Sequence, residues 1–185
     1  MATHNIVVIV GSLRKESFTL KIANALAKLA PATLKLDVVT LHDISFFNQD
    51  LEAAPPADWL AFRDKLQKSN GVLIVTPEYN RSIPGVLKNA IDVASRPYGK
   101  SAFGAGKPGA VVSVSPGAIG AFGANHHLRQ SLTFLDVATL QQPEMYVGGA
   151  AKLFDPSGKL LNEDTKALFT KFGAAFTTWV ERFAK

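Results

Sequence analysis

A chain of 185 residues with no cysteine forms no disulfide, thiolate metal site or cysteine nucleophile, and its composition fits a reducing cytoplasm. Its formal net charge of +5, from 20 lysines and arginines against 15 acids, is spread singly with no block of like charge and no nucleic-acid motif. Nucleic-acid binding is therefore set aside in favour of small anionic ligands. The length suits one domain, residues 1–185. No apolar run reaches a membrane span and no secretory signal opens the chain, so a soluble cytoplasmic protein without membrane association is expected.

Ile6-Val-Val-Ile-Val10 is a continuous β-branched run, the pattern of a strand buried on both faces of a parallel sheet. It leads into Gly11-Ser-Leu-Arg-Lys-Glu-Ser-Phe-Thr19, a polar loop. The loop hands the chain to a helix with Phe18, Ile22, Leu26 and Leu29 at helical spacing. Such a turn aims unpaired backbone N–H groups and the positive end of the helix dipole at one spot, where an anion is the natural occupant. Ser12, Ser17 and Thr19 add hydroxyls, and Arg14 adds a forked cation suited to phosphate oxygens. Ser17 is equally a candidate N-cap of an ordinary connection.

The helix ends near Pro31, and Leu34-Lys-Leu-Asp-Val-Val39 alternates as an edge strand does. Residues 41–57 form a long loop in which Phe46 and Phe47 either pack inward or flank a ligand. Trp59, Phe62 and Leu66 mark a second helix that stops at Ser69-Asn70-Gly71. Val72-Leu-Ile-Val75 is again fully apolar and central, and runs into Thr76-Pro-Glu-Tyr-Asn-Arg-Ser82, a loop crowded with hydrogen-bonding side chains. Pro84 starts the next helix, a position where its missing N–H costs nothing. Gly104-Ala-Gly106 precedes a strand and reads as a linker; Gly109-Ala-Val-Val-Ser-Val114 is the fourth strand and Ser115-Pro-Gly-Ala-Ile-Gly120 its loop. A helix is predicted from Asn125 to Leu135, with extended segments from Val137 to Leu140 and Glu144 to Val147. A terminal helix carries Leu168, Phe172, Phe176, Trp179 and Phe183 as its core stripe.

This alternation predicts an α/β fold, a doubly wound five-stranded parallel sheet with helices on both faces. The loops after the first, third and fourth strands converge at one sheet edge, where such folds bind ligands. The first loop has neither the Gly-x-Gly-x-x-Gly spacing of a dinucleotide site nor the Gly-Lys-Ser/Thr ending of a P-loop. A phosphate held by hydroxyls suits a mononucleotide, and in the flavodoxin-like strand order the ligand at this switch point is FMN.

Gly11-Ser-Leu-Arg-Lys-Glu-Ser-Phe, Thr76-Pro-Glu-Tyr-Asn-Arg-Ser-Ile-Pro-Gly85 with Leu87-Lys-Asn-Ala-Ile-Asp92, and Ser113-Val-Ser-Pro-Gly-Ala-Ile-Gly120 together resemble the NADPH-dependent FMN reductase family, its quinone and chromate reductase branch in particular. The resemblance implies that Ser12, Arg14, Ser17 and Phe18 hold the FMN phosphate. Pro77, Glu78, Tyr79 and Asn80 would line the isoalloxazine, and Ser115 with Gly117 would close the ring pocket. The family commonly has Asn where this chain has Thr19, whose hydroxyl can donate in its place. Arg81 at the rim would attract a nicotinamide phosphate or an anionic acceptor, or else is a solvated or subunit-contact arginine. The implied activity is hydride transfer from NADPH or NADH to FMN, then two-electron reduction of a quinone, chromate, azo compound or similar small acceptor. FMN carries the chemistry, so no catalytic side chain is assigned. A non-enzymatic flavodoxin-type single-electron carrier is the alternative. The resemblance also implies a homodimer or homotetramer, with Arg96, Tyr98 and Glu144 as interface candidates. The four histidines show no metal-ligand spacing, and no Gly-x-Ser-x-Gly elbow supports a serine hydrolase.

Overall fold

The computed structural model describes residues 2–104 and 106–184; Met1, Lys185 and Ala105, the centre of the expected glycine linker, lie outside the described residues. A parallel sheet forms from β1 (His4–Val10), β2 (Leu34–Val39), β3 (Gly71–Thr76), β4 (Pro108–Val114), β5 (Ala138–Thr139) and β6 (Met145–Val147). The strand order is β2-β1-β3-β4-β5, with β6 also paired to β4. This is the flavodoxin-like order, and the chain reverses direction across the sheet between β1 and β3. The expected edge strand is at the edge, and its burial alternates while β3 and β4 are buried throughout.

The fifth position of the sheet is divided. β5 pairs with the start of β4, Pro108 facing Ala138, whereas β6 pairs with its end, Val112 facing Met145. The intervening segment carries Pro143, which has no N–H to give to a ladder. The two extended segments expected in sequence are therefore one interrupted edge.

Five helices cover the sheet: α1 (Phe18–Leu29), α2 (Ala57–Gln67), α3 (Gly85–Ser95), α4 (Phe122–Phe134) and α5 (Glu163–Glu181). Side chains alternate across each strand, so each buried strand feeds two cores. Leu73 and Val75 join Ile22, Leu26, Phe169, Phe172 and Phe176 beneath α1 and α5. Val72 and Ile74 join Trp59, Phe62, Leu87, Ile91, Leu128 and Leu132 beneath α2, α3 and α4.

Two helices depart from the sequence pattern. In α5 the buried face is Phe169, Phe172, Phe176 and Val180, whereas Leu168 and Phe183 are exposed. The stripe is rotated by one residue, a choice that helical spacing alone leaves open at both ends. α4 begins three residues before its expected start, because Ala121 takes a left-handed conformation and the chain turns into the helix at Phe122.

Candidate functional site

The C-terminal ends of β1 and β3 open onto a cleft of about 430 Å³. Gly11, Ser12, Leu13 and Arg14 line it from the first loop, Phe46 from the β2–α2 loop, and Tyr79, Pro84, Gly85 and Val86 from the third. Two helices start beside it. The Ser17 hydroxyl accepts from the Leu20 N–H at 3.2 Å and caps α1. Among the described residues, the N–H groups of Phe18 and Thr19 have no acceptor. α3 starts after Pro84 without a side-chain cap, and the N–H groups of Gly85 and Val86 are likewise unpartnered. Two positive helix ends and their orphan donors thus lie next to a cleft whose walls are largely apolar.

The first loop is held in shape before any ligand arrives. The Arg14 N–H donates to the Ser12 hydroxyl at 3.3 Å, the Ser17 N–H donates to the Arg14 carbonyl at 3.1 Å, and His42 Nε2 donates to the Leu13 carbonyl at 2.8 Å. The Arg14 side chain is exposed and has no carboxylate partner among the described residues. Ser12, Ser17 and Thr19 are buried. The Thr19 hydroxyl lies 3.1 Å from that of Ser17 and bonds to it, so it is engaged with the cap. Phe18 packs its ring against the core under α1 and α5, and offers the cleft side its N–H alone.

The two phenylalanines of the long loop divide the roles left open in sequence. Phe47 stacks on Trp59 at 5.4 Å and its N–H donates to Asn89 Oδ1 at 2.8 Å. Phe46 is 81% exposed and stands on the rim of the cleft. Gly11, Leu13, Phe46 and the Pro84–Val86 helix start are the lining residues absent from the expected set. Their signals were membership of the first loop, the doubled phenylalanine and the proline-started helix.

The loop after β3 is a tight turn. Tyr79 and Ser82 exchange both backbone hydrogen bonds at 3.0 Å, and Asn80 and Arg81 have positive φ of 51° and 63°. Asn tolerates that conformation; Arg carries strain there. Arg81 Nη1 donates to Glu78 Oε1 at 2.9 Å while the arginine side chain remains 76% exposed, so it is both ion-paired and accessible at the rim.

Glu78, which the resemblance sets beside the ring, has its side chain engaged elsewhere. Its carboxylate turns to α4, where Oε2 accepts from the Ala124 N–H at 3.0 Å. The reason is that Ala121 supplies no capping side chain, so the first turn of α4 takes its acceptor, and a negative charge for its dipole, from another loop. Gly123 makes room: a Cβ there would lie 2.9 Å from Glu78 Oε2.

The loop after β4 is fixed from behind. The buried Ser113 hydroxyl donates to the Gly120 carbonyl at 2.7 Å and accepts from Asn125 Nδ2 at 3.1 Å. Arg129 Nε donates to Asn125 Oδ1 at 2.9 Å. Gly120 has φ of 62°, and a Cβ on it would meet the Tyr146 backbone at 2.6 Å. Ser115 accepts from the Gly117 N–H at 3.0 Å, and both lie on the exposed turn at the end of β4, one strand beyond the cleft. The structure therefore gathers Ser12, Arg14 and Tyr79 on the cleft itself. Ser17, Phe18 and Thr19 lie at its α1 end, Pro77, Asn80 and Arg81 in the same loop as Tyr79, and Ser115 and Gly117 on the adjacent loop.

Residues 4–152 match the model of the NADPH-dependent FMN reductases. The chain belongs to the NADPH-dependent FMN reductase family. Over 179 residues it is 58% identical to a quinone reductase of Pseudomonas putida, covering 96% of this chain and 95% of the relative. Over 175 residues it is 45% identical to a 2-hydroxy-1,4-benzoquinone reductase of a Burkholderia species, covering 95% of each. Among solved structures, the flavoenzyme NAD(P)H:(acceptor) oxidoreductase FerB of Paracoccus denitrificans superposes with a TM-score of 0.90 at 39% identity, covering 97% of this chain and 98% of that one. This FMN reductase family member is an oxidoreductase of flavodoxin-like fold that uses FMN and a nicotinamide donor.

The residues present fit FMN. Orphan N–H groups, the Ser12 hydroxyl and the unpaired Arg14 guanidinium form a donor set for a phosphate. Leu13, Phe46, Tyr79, Pro84 and Val86 offer apolar walls to an aromatic ring.

Proposed function

We propose that residues 1–185 work as one flavodoxin-like FMN-binding domain that reduces quinones and related two-electron acceptors with NADPH or NADH. The observation that carries this reading is the pair of helix starts with unpartnered N–H groups, α1 and α3, beside an apolar cleft reached by the Arg14 side chain. Ser12, Arg14 and the N–H groups of Phe18 and Thr19 hold the phosphate, and Ser17 keeps those N–H groups in place as the α1 cap. Pro77, Glu78, Tyr79 and Asn80 border the ring through their backbone, with the Tyr79 and Phe46 rings as walls, and Ser115 and Gly117 close the far side. Bound FMN supplies the hydride-accepting and electron-donating chemistry. The protein's part is to place the ring, to present donors to its polar edge and to limit water at the cleft. Arg81 stays accessible to the phosphate of the nicotinamide donor or to an anionic acceptor such as chromate.

Quinones lead the acceptors because two relatives, 58% and 45% identical, bear the names of quinone reductases; chromate and azo compounds belong to the same reading. The cytoplasm is the proposed compartment, a reading supported by the use of a nicotinamide donor. Ile119, Phe122, Phe134 and Tyr98 are exposed apolar side chains on α4, the loop before it and the α3–β4 connection, which supports a homodimer or homotetramer. Among the described residues no helix is long and apolar enough to cross a membrane.

The test is anaerobic. FMN-loaded protein mixed with NADPH or NADH should lose its flavin absorbance in a single two-electron phase and recover it on addition of benzoquinone. Persistence of the oxidised spectrum overturns the proposal. Reduction that halts after one electron favours the single-electron carrier.

A further inference from the structure

On the opposite side of the first loop, α1 and the turn before α5 enclose a groove of about 400 Å³. Its floor is apolar: Leu20, Ala25 and Leu29 of α1 meet Leu160, all of them in or against the core under α1 and α5. Its rim carries five lysines, Lys15, Lys21, Lys28, Lys159 and Lys166, beside the neutral Asn24 and Ser157 and the single lining carboxylate of Glu16. Glu16 pairs with Lys21 at 3.1 Å, and Lys166 pairs with Glu163 on its own helix. Lys15, Lys28 and Lys159 have no carboxylate partner among the described residues. A charge that looks scattered in sequence is thus gathered by the fold around one apolar trough.

The wall facing α1 is built. Asp155 accepts from the Ser157 hydroxyl at 2.6 Å and the Lys159 N–H at 2.9 Å, and its own N–H donates to the Lys159 carbonyl at 3.0 Å. These bonds hold the Asp155 carboxyl below its ordinary value, the Ser157 hydroxyl contributing most. A bridge between Phe154 and Leu160 closes the turn beneath them. Lys159 is therefore presented to the groove by a fixed loop.

We propose that this groove is a binding site for an amphiphilic anion, a carboxylate or phosphate head on an aliphatic chain. The chain lies on the leucine floor, and the head is taken by the unpaired lysines. Ammonium groups on flexible stems suit such a head because they can converge on it while their own methylenes cover the tail. The volume is in the range of small-molecule sites. The groove and the FMN cleft share no lining residue, so occupancy of the groove is distinct from the binding of FMN or acceptor.

The experiment titrates FMN-loaded full-length protein with cis-parinaric acid, a fluorescent long-chain carboxylate, below its micelle concentration. Saturable one-to-one binding is expected. Lys28→Glu with Lys159→Glu should weaken it about tenfold or more, since each reversal replaces a weak attraction with a repulsion. The uncharged parinaryl alcohol should bind the wild type no better than the double variant binds the acid. Dodecyl phosphate should displace the probe. Anaerobic reduction by NADPH should be unchanged in the double variant, which separates this outcome from the fate of the redox proposal. Absence of saturable binding overturns the inference, as does equal binding by both proteins. Displacement by inorganic phosphate as effectively as by dodecyl phosphate makes the rim a plain anion patch and overturns it too. So does binding confined to phosphatidylglycerol vesicles with none to the monomeric probe.

Discussion

Arg14 and Ser17 come from the same short loop but do different work, and substitutions can separate them. Arg14 is exposed and unpaired, so Arg14→Ala should weaken FMN retention about tenfold, the value of one charge-assisted contact, while leaving the melting temperature of the apoprotein unchanged. Ser17→Ala removes the α1 cap and should cost about 1 kcal/mol of stability, whereas Ser17→Gly should cost only about a few tenths. Flavin fluorescence titration beside thermal melts distinguishes the two effects; an Arg14→Ala protein that binds FMN normally would place the phosphate elsewhere. Glu78 makes the opposite case. The resemblance sets it beside the ring, and its carboxylate belongs to α4 through the Ala124 N–H at 3.0 Å. Glu78→Ala should lose about 1–2 kcal/mol in urea denaturation, the cost of a lost cap and dipole charge, with FMN affinity nearly intact. Sequence could not reveal this, because the need for an outside cap arises only from the left-handed Ala121.

The elements legible in sequence were those whose burial dictates composition. Residues 6–10 of β1 and 72–75 of β3 are apolar without interruption because both faces are covered, and β2 alternates because it is an edge. What stayed hidden depends on contacts between elements. The β2–α2 loop looked like a long excursion, yet the Asp58 carboxylate accepts from both the backbone N–H and the hydroxyl of Ser45 at 2.7 Å. The Ser45 carbonyl in turn accepts from Trp59 Nε1 at 3.2 Å and from Asn89 Nδ2 at 3.1 Å. This staple is what lets Phe47 pack and leaves Phe46 on the rim. Burial pushes the Asp58 carboxyl up, but the Ser45 hydrogen bonds outweigh it and hold it below its ordinary 3.8. A carboxyl lowered by folding stabilises fully above its unfolded value and loses that contribution as pH falls through the folded one. The loop should therefore loosen only below about pH 4, seen as a change in Trp59 fluorescence. Asp58→Asn should flatten that acid limb, and an unchanged limb would mean the staple does not couple to the loop.

At the scale of the whole molecule, the ligand edge was legible because three loops had to leave the same end of a parallel sheet, and that conclusion needs no side-chain detail. Which surfaces the folded chain leaves open was not legible, since neither the gathering of lysines beside α1 nor the apolar face of α3 and α4 has a local signal. Between α3 and α4 runs a groove of about 640 Å³ lined by Ile83, Ile91, Leu135 and Phe134 among polar neighbours, with Phe134 83% exposed at its edge. A bare phenylalanine beside an apolar groove gains most when a second copy covers it. Phe134→Asp puts a charge where that copy would bury a ring, so under the proposed homodimer or homotetramer the variant should sediment as a monomer at concentrations where the parent protein sediments as the larger species. Phe134 lies at the C-terminal end of α4, away from the helix start capped by Glu78. FMN binding by the monomeric variant should therefore persist, while quinone reduction falls if the partner copy completes the acceptor site. A parent protein that sediments as a monomer overturns the proposed oligomer, and an oligomeric Phe134→Asp variant moves the proposed contact to the exposed patch where Phe122 packs against His126 and Tyr146.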